Sequence, residues 1–184
     1  MHVVLAGGGT AGHIEPALNL ADALRARDPA IGITALGTTK GLEGRLVPAR
    51  GYDLRMIPAV PLARRPSGEL FTLPGRVRSA LKQTQEILAD VQADVVVGFG
   101  GYVSLPGYLA ARRSHTPLVI HEANARPGLA NRIGARFTPY VAEAVAGTLP
   151  KGQRIGIPLR TTISGLDRGA TRTHARQVLG LPQD

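Results

Sequence analysis

The chain has 184 residues, of which 43% are hydrophobic and 19% are charged, and it contains no cysteine. This composition predicts one sizeable globular domain and excludes disulfides and thiolate metal sites, and no apolar run reaches the roughly 20 residues of a membrane-spanning helix. The net charge of +9 suits anionic partners, but only 4% of residues are aromatic and no nucleic-acid-binding motif is present, so we expect no nucleic-acid partner.

Short apolar runs alternate with helix-like segments along the chain. We predict strands at 2–6, 31–36, 53–57, 94–98, 117–121, 139–142 and 153–157, and helices at 15–27, 42–49, 75–90, 103–113, 127–135 and 171–179. Alternation at this spacing predicts a doubly wound α/β domain, with a parallel sheet and helices on both faces. Ligands bind at the carboxyl ends of the strands in such folds, so the residues that follow each strand are the candidates for a site.

The loop after the first predicted strand is rich in glycine. Gly7-Gly8-Gly9-Thr10-Ala11-Gly12-His13 leads from that strand into the first predicted helix. Glycines let the backbone approach a phosphate closely, and the free N–H groups of a first helical turn attract anions. We therefore predict a phosphate or diphosphate site, with the His13 imidazole beside it able to move a proton near neutral pH.

The same loop also fits the dinucleotide-binding pattern G-x-G-x-x-G through Gly7, Gly9 and Gly12. The full pattern needs an acidic residue at the end of the second strand to hold the ribose hydroxyls, and the segment 37–41 has none. Lys40 can face a 2′-phosphate, so an NADP-binding oxidoreductase domain stays open as an alternative.

The segment 58–74 has four prolines and no clear period, which predicts a long exposed loop. In and beyond it, Arg64, Arg65, Arg76, Arg78 and Lys82 bracket the apolar residues Leu70, Phe71, Leu73, Val77 and Leu81. An apolar patch with basic flanks can lie on an anionic membrane surface, where each cation adds about 1 kcal/mol. The pattern by itself favours the simpler interpretation, an amphipathic helix that packs on its own sheet.

A second glycine loop, 98–104, follows the strand at 94–98 and opens another helix. Because its order of strand, glycine turn and helix repeats that of the first loop, the two helix N-termini can share one diphosphate. This interpretation makes Gly100, Gly101, Tyr102 and Ser104 candidates for substrate contacts.

Two further strand ends carry polar residues. In His121-Glu122-Ala123-Asn124, Asn124 can pair with a sugar or a base, or else cap the next helix, and Glu122 can orient His13 or a substrate hydroxyl. In the segment 156–160, Arg160 can reach a phosphate or a carboxylate, or remain a solvated surface residue. No cluster has metal-ligand spacing, so we predict no metal.

These four segments resemble the MurG family, membrane-associated transferases that add N-acetylglucosamine (GlcNAc) to lipid I in peptidoglycan synthesis. The match lies in 8–13, 100–104, 121–124 and 156–160, in the same order and with similar spacing. The resemblance covers nearly the whole chain but only the N-terminal half of a two-domain enzyme of the GT-B type. It implies a Rossmann-like acceptor-binding domain at 1–163 and an interdomain linker or tail helix at 164–184, and the chain end resembles a break between domains.

The resemblance implies an inverting hexosyltransferase that transfers GlcNAc from UDP-GlcNAc to the C4 hydroxyl of N-acetylmuramic acid (MurNAc) in lipid I, giving lipid II, with no cofactor. This half alone would be largely inactive and would bind peripherally at the anionic cytoplasmic face of the cell membrane. A non-catalytic subunit of a split glycosyltransferase is the second alternative.

The family's functional residues transfer to matching positions in this sequence. His13 would be the general base, and Glu122, from its position at the strand end and not from the resemblance, is the second catalytic candidate. The substrate-binding positions would be Gly9, Thr10, Ala11, Gly12, Gly100, Gly101, Tyr102, Ser104, Asn124 and Arg160. The membrane contacts would be Arg64, Arg65, Leu70, Phe71, Leu73, Arg76, Val77, Arg78 and Lys82. The sequence departs from the family at Ala11, usually glycine, and at Ala123, usually glutamine.

Overall fold

A computed structural model describes residues 1–39, 41–60 and 73–182, apart from the side chains of Leu73 and Pro74. Its strands are β1 (His2–Gly7), β2 (Gly32–Gly37), β3 (Asp53–Met56), β4 (Val95–Gly100), β5 (Leu118–Glu122), β6 (Val141–Glu143) and β7 (Gly152–Arg154). They form one parallel sheet in the order β3-β2-β1-β4-β5-β6-β7. The doubly wound class is confirmed, since the chain runs outward from β1 to one edge and returns to β4 before it runs to the other.

The helices are α1 (Ala11–Arg27), α2 (Glu43–Ala49), α3 (Leu73–Asp90), α4 (Ser104–Arg113), α5 (Leu129–Gly134), α6 (Thr161–Ser164) and α7 (Arg168–Val178). All six predicted helices are present, and the short α6 is an addition. α1 begins four residues before its predicted start, because Pro16 lies inside the helix and does not open it. Pro16 has no N–H to donate within the helix, so α1 continues past it with one backbone hydrogen bond fewer.

The apolar core lies on both faces of the sheet. Val4 and Ala6 pack in a cluster with residues of α3 and α4, whereas Val3 and Leu5 pack in a second cluster with residues of α1. Successive residues of a strand point to opposite faces, so a central strand covered on both sides must be apolar throughout. This burial holds β1 and β4 rigidly at the middle of the sheet.

The described part of α3 packs on the sheet as an amphipathic helix. Leu81 and Leu88 are buried in the first cluster, while Arg76, Arg78 and Lys82 are exposed and Val77 is half-buried. Arg64, Arg65, Leu70, Phe71 and the side chain of Leu73 lie outside the described residues, as does most of the predicted loop. Membrane contact therefore stays a prediction. In the described ranges, no helix has the length and apolar character needed to cross a membrane.

The last two helices are exposed along their length. Neither α6 nor α7 has a buried residue, and Asp167 caps α7 by accepting hydrogen bonds from the backbone N–H groups of Gly169 and Ala170. The predicted division of the chain after residue 163 stays a prediction.

Candidate functional site

The two glycine loops meet at the centre of the sheet edge. β1 and β4 are neighbours, and the chain leaves them in opposite directions across the sheet. The Gly8 N–H donates a hydrogen bond to the Gly100 carbonyl oxygen at 3.2 Å. A Cβ atom on Gly101 would lie 1.9 Å from the Gly8 carbonyl oxygen, so no side chain fits there. This contact lies at the topological switch point, where ligands bind in doubly wound folds.

Internal partners occupy the N–H groups of the first glycine run. Besides the Gly8 bond, the Gly9 N–H donates to the Glu43 carboxylate, with 2.6 Å between the nitrogen and Oε1. Glu43 is fully buried beneath the loop, and sequence reasoning missed it because an acidic residue in the first turn of a helix is common. An anion would therefore meet the exposed first turn of α1, at Ala11 and Gly12, rather than the glycine run itself.

His13 lies in this first turn with its ring half-buried. Its Nδ1 is 3.1 Å from the Thr10 hydroxyl, and its Nε2 would be 3.0 Å from a Cβ atom on Gly100. Burial lowers the pKa of His13, and this effect outweighs the Glu122 charge and the Gly8 backbone, which both raise it. The structure thus favours a neutral imidazole between the two glycine loops.

The Glu122 carboxylate stabilises the loop that follows β5. It is buried and accepts four hydrogen bonds, from the backbone and side-chain nitrogens of Asn124, the Gly128 N–H and the Asn131 amide, at 2.9 to 3.0 Å. Among the described residues no hydrogen bond joins it to His13. Glu122 therefore acts on His13 through its charge, and it fixes Asn124 at the exposed surface.

In the second glycine loop, the side chain of Tyr102 is exposed and the side chain of Ser104 is buried. Tyr102 is 49% exposed, and its ring would lie 3.2 Å from a Cβ atom on Gly9. Ser104 is fully buried and donates its hydroxyl to the Ala6 carbonyl oxygen at 2.7 Å. Of the two, only Tyr102 presents its side chain to a ligand, whereas Ser104 ties α4 to β1.

A cleft of about 380 Å³ extends from the first turn of α1 to the segment after β7. It is lined by Ala11, Gly12, Glu15, Pro16, Asn19, Ala123, Asn124, Ile157, Pro158, Leu159, Arg160 and Ile163. Arg160 donates to the Glu15 carboxylate, so its nearest anion is a residue of the same chain. Sequence reasoning missed Glu15, which lies 145 positions away from Arg160.

A larger cleft of about 700 Å³ lies beside α5 and contains none of the predicted site residues. Within the described ranges, no group of three or more His, Cys, Asp or Glu residues could hold a metal ion.

Comparison with known proteins identifies close relatives. The model of the glycosyltransferase family 28 N-terminal domain matches residues 3–143. A Streptomyces avermitilis protein named UDP-N-acetylglucosamine--N-acetylmuramyl-(pentapeptide) pyrophosphoryl-undecaprenol N-acetylglucosamine transferase is 65% identical over 182 residues, which is 98% of this chain and 50% of that protein. A Mycolicibacterium smegmatis protein of the same name is 58% identical over 99% of this chain and 49% of its own length. The chain thus spans about half the length of these relatives.

Two solved structures extend the comparison. The crystal structure of Acinetobacter baumannii MurG matches with a TM-score of 0.73 at 28% identity, over 97% of this chain and 54% of that one. The UDP-GlcNAc 2-epimerase from Neisseria meningitidis, solved with UDP-GlcNAc, matches with a TM-score of 0.67 at 14% identity, over 100% of this chain and 55% of that one. At that identity the epimerase shares the fold alone.

Proposed function

The chain belongs to the glycosyltransferase family 28 N-terminal domain family, and from this membership we propose that it is the acceptor-binding half of an inverting N-acetylglucosaminyltransferase. The acceptor is lipid I, the donor is UDP-GlcNAc and the product is lipid II. The name of these relatives, which describes this transfer, supports the proposal. The observation that carries it is the position of His13, at the exposed first turn of α1 where the two glycine loops meet.

His13 serves as the general base in this proposal. This role requires the tautomer in which Nδ1–H donates to the Thr10 hydroxyl, 3.1 Å away, and Nε2 carries the lone pair that accepts a proton. Nε2 takes the proton of the acceptor C4 hydroxyl as that oxygen forms a bond to C1 of GlcNAc. The bond from C1 to the β-phosphate oxygen breaks, UDP leaves with the electron pair, and the configuration at C1 inverts. The lowered pKa keeps the imidazole neutral, as a base near neutral pH requires.

Glu122 has a positioning role rather than a proton-accepting one. Its two oxygens already accept four hydrogen bonds, so a proton on either oxygen would displace a donor. Its negative charge stabilises the imidazolium that forms when His13 takes the proton.

The acceptor diphosphate binds near the N-termini of α1 and α4. The first-turn residues of α1 are exposed, and the positive end of the helix dipole favours an anion there. Donor contacts from this half of the enzyme come from Thr10, Ala11, Gly12, Asn124 and Arg160. Most of the donor pocket belongs to a second domain, which corresponds to the remaining half of the relatives' length.

Peripheral binding at the cytoplasmic membrane face is part of the same proposal. Arg76 and Arg78 project from the exposed side of α3, and within the described part of the chain neither has an ion-pair partner. Unpaired cations beside a surface are attracted to anionic lipid headgroups.

A binding titration tests the function. We expect the purified chain to bind a soluble lipid I analogue saturably and to bind it less tightly when the diphosphate is removed. NADPH is the control ligand, because its binding tests the alternative of an NADP-binding domain. That alternative depended on Lys40, which lies outside the described residues. Binding of NADPH without binding of the analogue would overturn the proposal. Co-purification with a separate donor-binding protein would instead favour the split-subunit alternative.

A further inference from the structure

Arg160 is held in one orientation by Glu15. Nε of Arg160 lies 3.0 Å from Oε2 of Glu15, and Nη2 lies 2.6 Å from Oε1, so the pair is bidentate. The interaction raises the pKa of Arg160 and lowers the pKa of Glu15. An arginine that is half exposed would otherwise occupy many rotamers, and a bidentate partner selects one of them.

Glu15 is itself held from the other side. Nη2 of Arg50, at the end of α2, lies 3.0 Å from Oε2 of Glu15. Arg50 also pairs with Asp22, which in turn accepts a hydrogen bond from the Tyr52 hydroxyl at 2.7 Å. The Glu15 side chain is only 23% exposed, and this network fixes its position on α1.

The backbone that carries Arg160 is also fixed. The segment 156–160 follows β7 without strand pairing, but His121 Nε2 donates to the Gly156 carbonyl oxygen at 2.8 Å. The Asn19 amide donates to the Pro158 carbonyl oxygen at 2.9 Å. The main freedom left to Arg160 is therefore the direction of its side chain, and Glu15 sets that direction.

The pairing leaves one edge of the guanidinium free. Of its five N–H groups, Glu15 accepts those of Nε and one of Nη2, so two on Nη1 and one on Nη2 remain. No other ion pair involves Arg160 in the described part of the chain. This edge can donate two parallel hydrogen bonds to phosphate oxygens while Glu15 stays bound to the other edge. Both residues line the 380 Å³ cleft that begins at the first turn of α1.

We propose that Glu15 is a positioning residue that directs the free edge of Arg160 toward a diphosphate bound in this cleft, and that Arg50 holds Glu15 for that purpose. The inference rests on the proposed function, because the diphosphate is that of the nucleotide-sugar donor. Glu15 and the ligand use different edges of the guanidinium, so they bind together and do not compete.

The first test uses the chain itself, titrated with inorganic pyrophosphate and followed by NMR of the arginine side-chain nitrogens. We expect the Nη signals of Arg160 to shift while its Nε–H signal keeps the position that pairing with Glu15 confers. Collapse of the Nε–H signal would mean that the anion displaces Glu15. That result, or the absence of any shift at millimolar pyrophosphate, would overturn the inference.

The second test uses the chain joined in frame to the second half of the Streptomyces avermitilis relative. Glu15→Gln should raise the KM for UDP-GlcNAc by roughly three- to tenfold and leave kcat within about twofold, because a charge-assisted contact loses its orientation. Arg160→Lys should raise the KM at least as much, since an ammonium group has no second fixed edge. Asp53→Asn is the matched control, because it weakens an exposed pair with Arg55 at the far edge of the sheet.

An unchanged or lowered KM in Glu15→Gln would refute the positioning role. Failure of the unsubstituted fusion to form product would count against the proposed function instead. Calorimetric titration with UDP-GlcNAc still reports the effect of Glu15→Gln on donor affinity in that case, so the two failures are distinguishable.

Discussion

The contact between the two glycine loops makes Gly101 one of the least substitutable positions in the chain. Its φ is +91°, a conformation that costs an L-residue about 1–3 kcal/mol. In addition, the Cβ atom of an alanine would lie 1.9 Å from the Gly8 carbonyl oxygen. The obstacle is backbone from the end of β1, so rotation of a side chain cannot relieve it.

Gly147→Ala separates these two effects. Gly147 has a φ of +78°, but a Cβ atom added there would meet nothing within 4 Å. This variant should therefore lose only the stability that an L-residue loses by adopting a positive φ. The free energy of unfolding of Gly101→Ala should fall by about a further 1–3 kcal/mol, which is the usual cost of forcing extra atoms into a packed region.

Urea unfolding followed by circular dichroism measures the difference. At about 2–4 °C per kcal/mol for a chain of this length, Gly101→Ala should also melt roughly 2–12 °C below Gly147→Ala. Equal stability of the two variants would refute the reasoning, because it would mean that the loops do not touch. The lipid I analogue should bind the Gly101 variant less tightly than the control in conditions where both are folded.

Four other predictions concern the candidate site and the exposed side of α3. His13→Ala in the two-domain fusion should lower kcat by about 10²- to 10⁴-fold with acceptor affinity nearly intact, and wild-type turnover would remove His13 from the mechanism. Because burial lowers the His13 pKa, kcat of the unsubstituted fusion should fall only below pH 6.5 as the imidazole becomes protonated, and a fall that begins above pH 6.5 would contradict the assignment. Ser104→Ala should destabilise the chain by about 1–3 kcal/mol in urea unfolding, because the buried Ala6 carbonyl oxygen loses its donor. The same variant should bind the lipid I analogue with unchanged affinity, and weakened binding without lost stability would show that Ser104 contacts the ligand. Glu substitution of both Arg76 and Arg78 should reduce co-sedimentation with anionic vesicles, whereas the same change at Arg113, an exposed residue at the end of α4, should have less effect; equal losses would argue against an α3 membrane contact.

Much of the fold was predictable because its signals are local. The apolar runs at 94–98 and 117–121 mark buried central strands, and the structure confirms both as β4 and β5. The start of α1 was predicted late because Pro16 resembles a helix-start signal. In the structure the helix instead begins at Ala11, and Pro16 lies inside it.

The candidate site was only partly predictable. Glycine, histidine and arginine at strand ends identify the edge of the sheet where a ligand binds, and the comparisons support the family that these residues suggested. The sequence does not reveal that Ser104 is buried, that Glu122 already holds four donors, or that Glu43 occupies the Gly9 N–H. The Ser104 and Glu43 contacts depend on which strands become neighbours, whereas the Glu122 donors lie within nine residues of it and depend on how the loop after β5 folds.

The sequence by itself determined the α/β class, the number of strands and the glycine loops, since periodicity and turn chemistry act over a few residues. Only the tertiary structure decided which groups remain free to bind a ligand. Glu15 and Arg160 are 145 positions apart and meet because α1 lies beside the segment that follows the last strand. Whether two distant residues form a hydrogen bond depends on how the whole sheet packs, and no local sequence pattern records it.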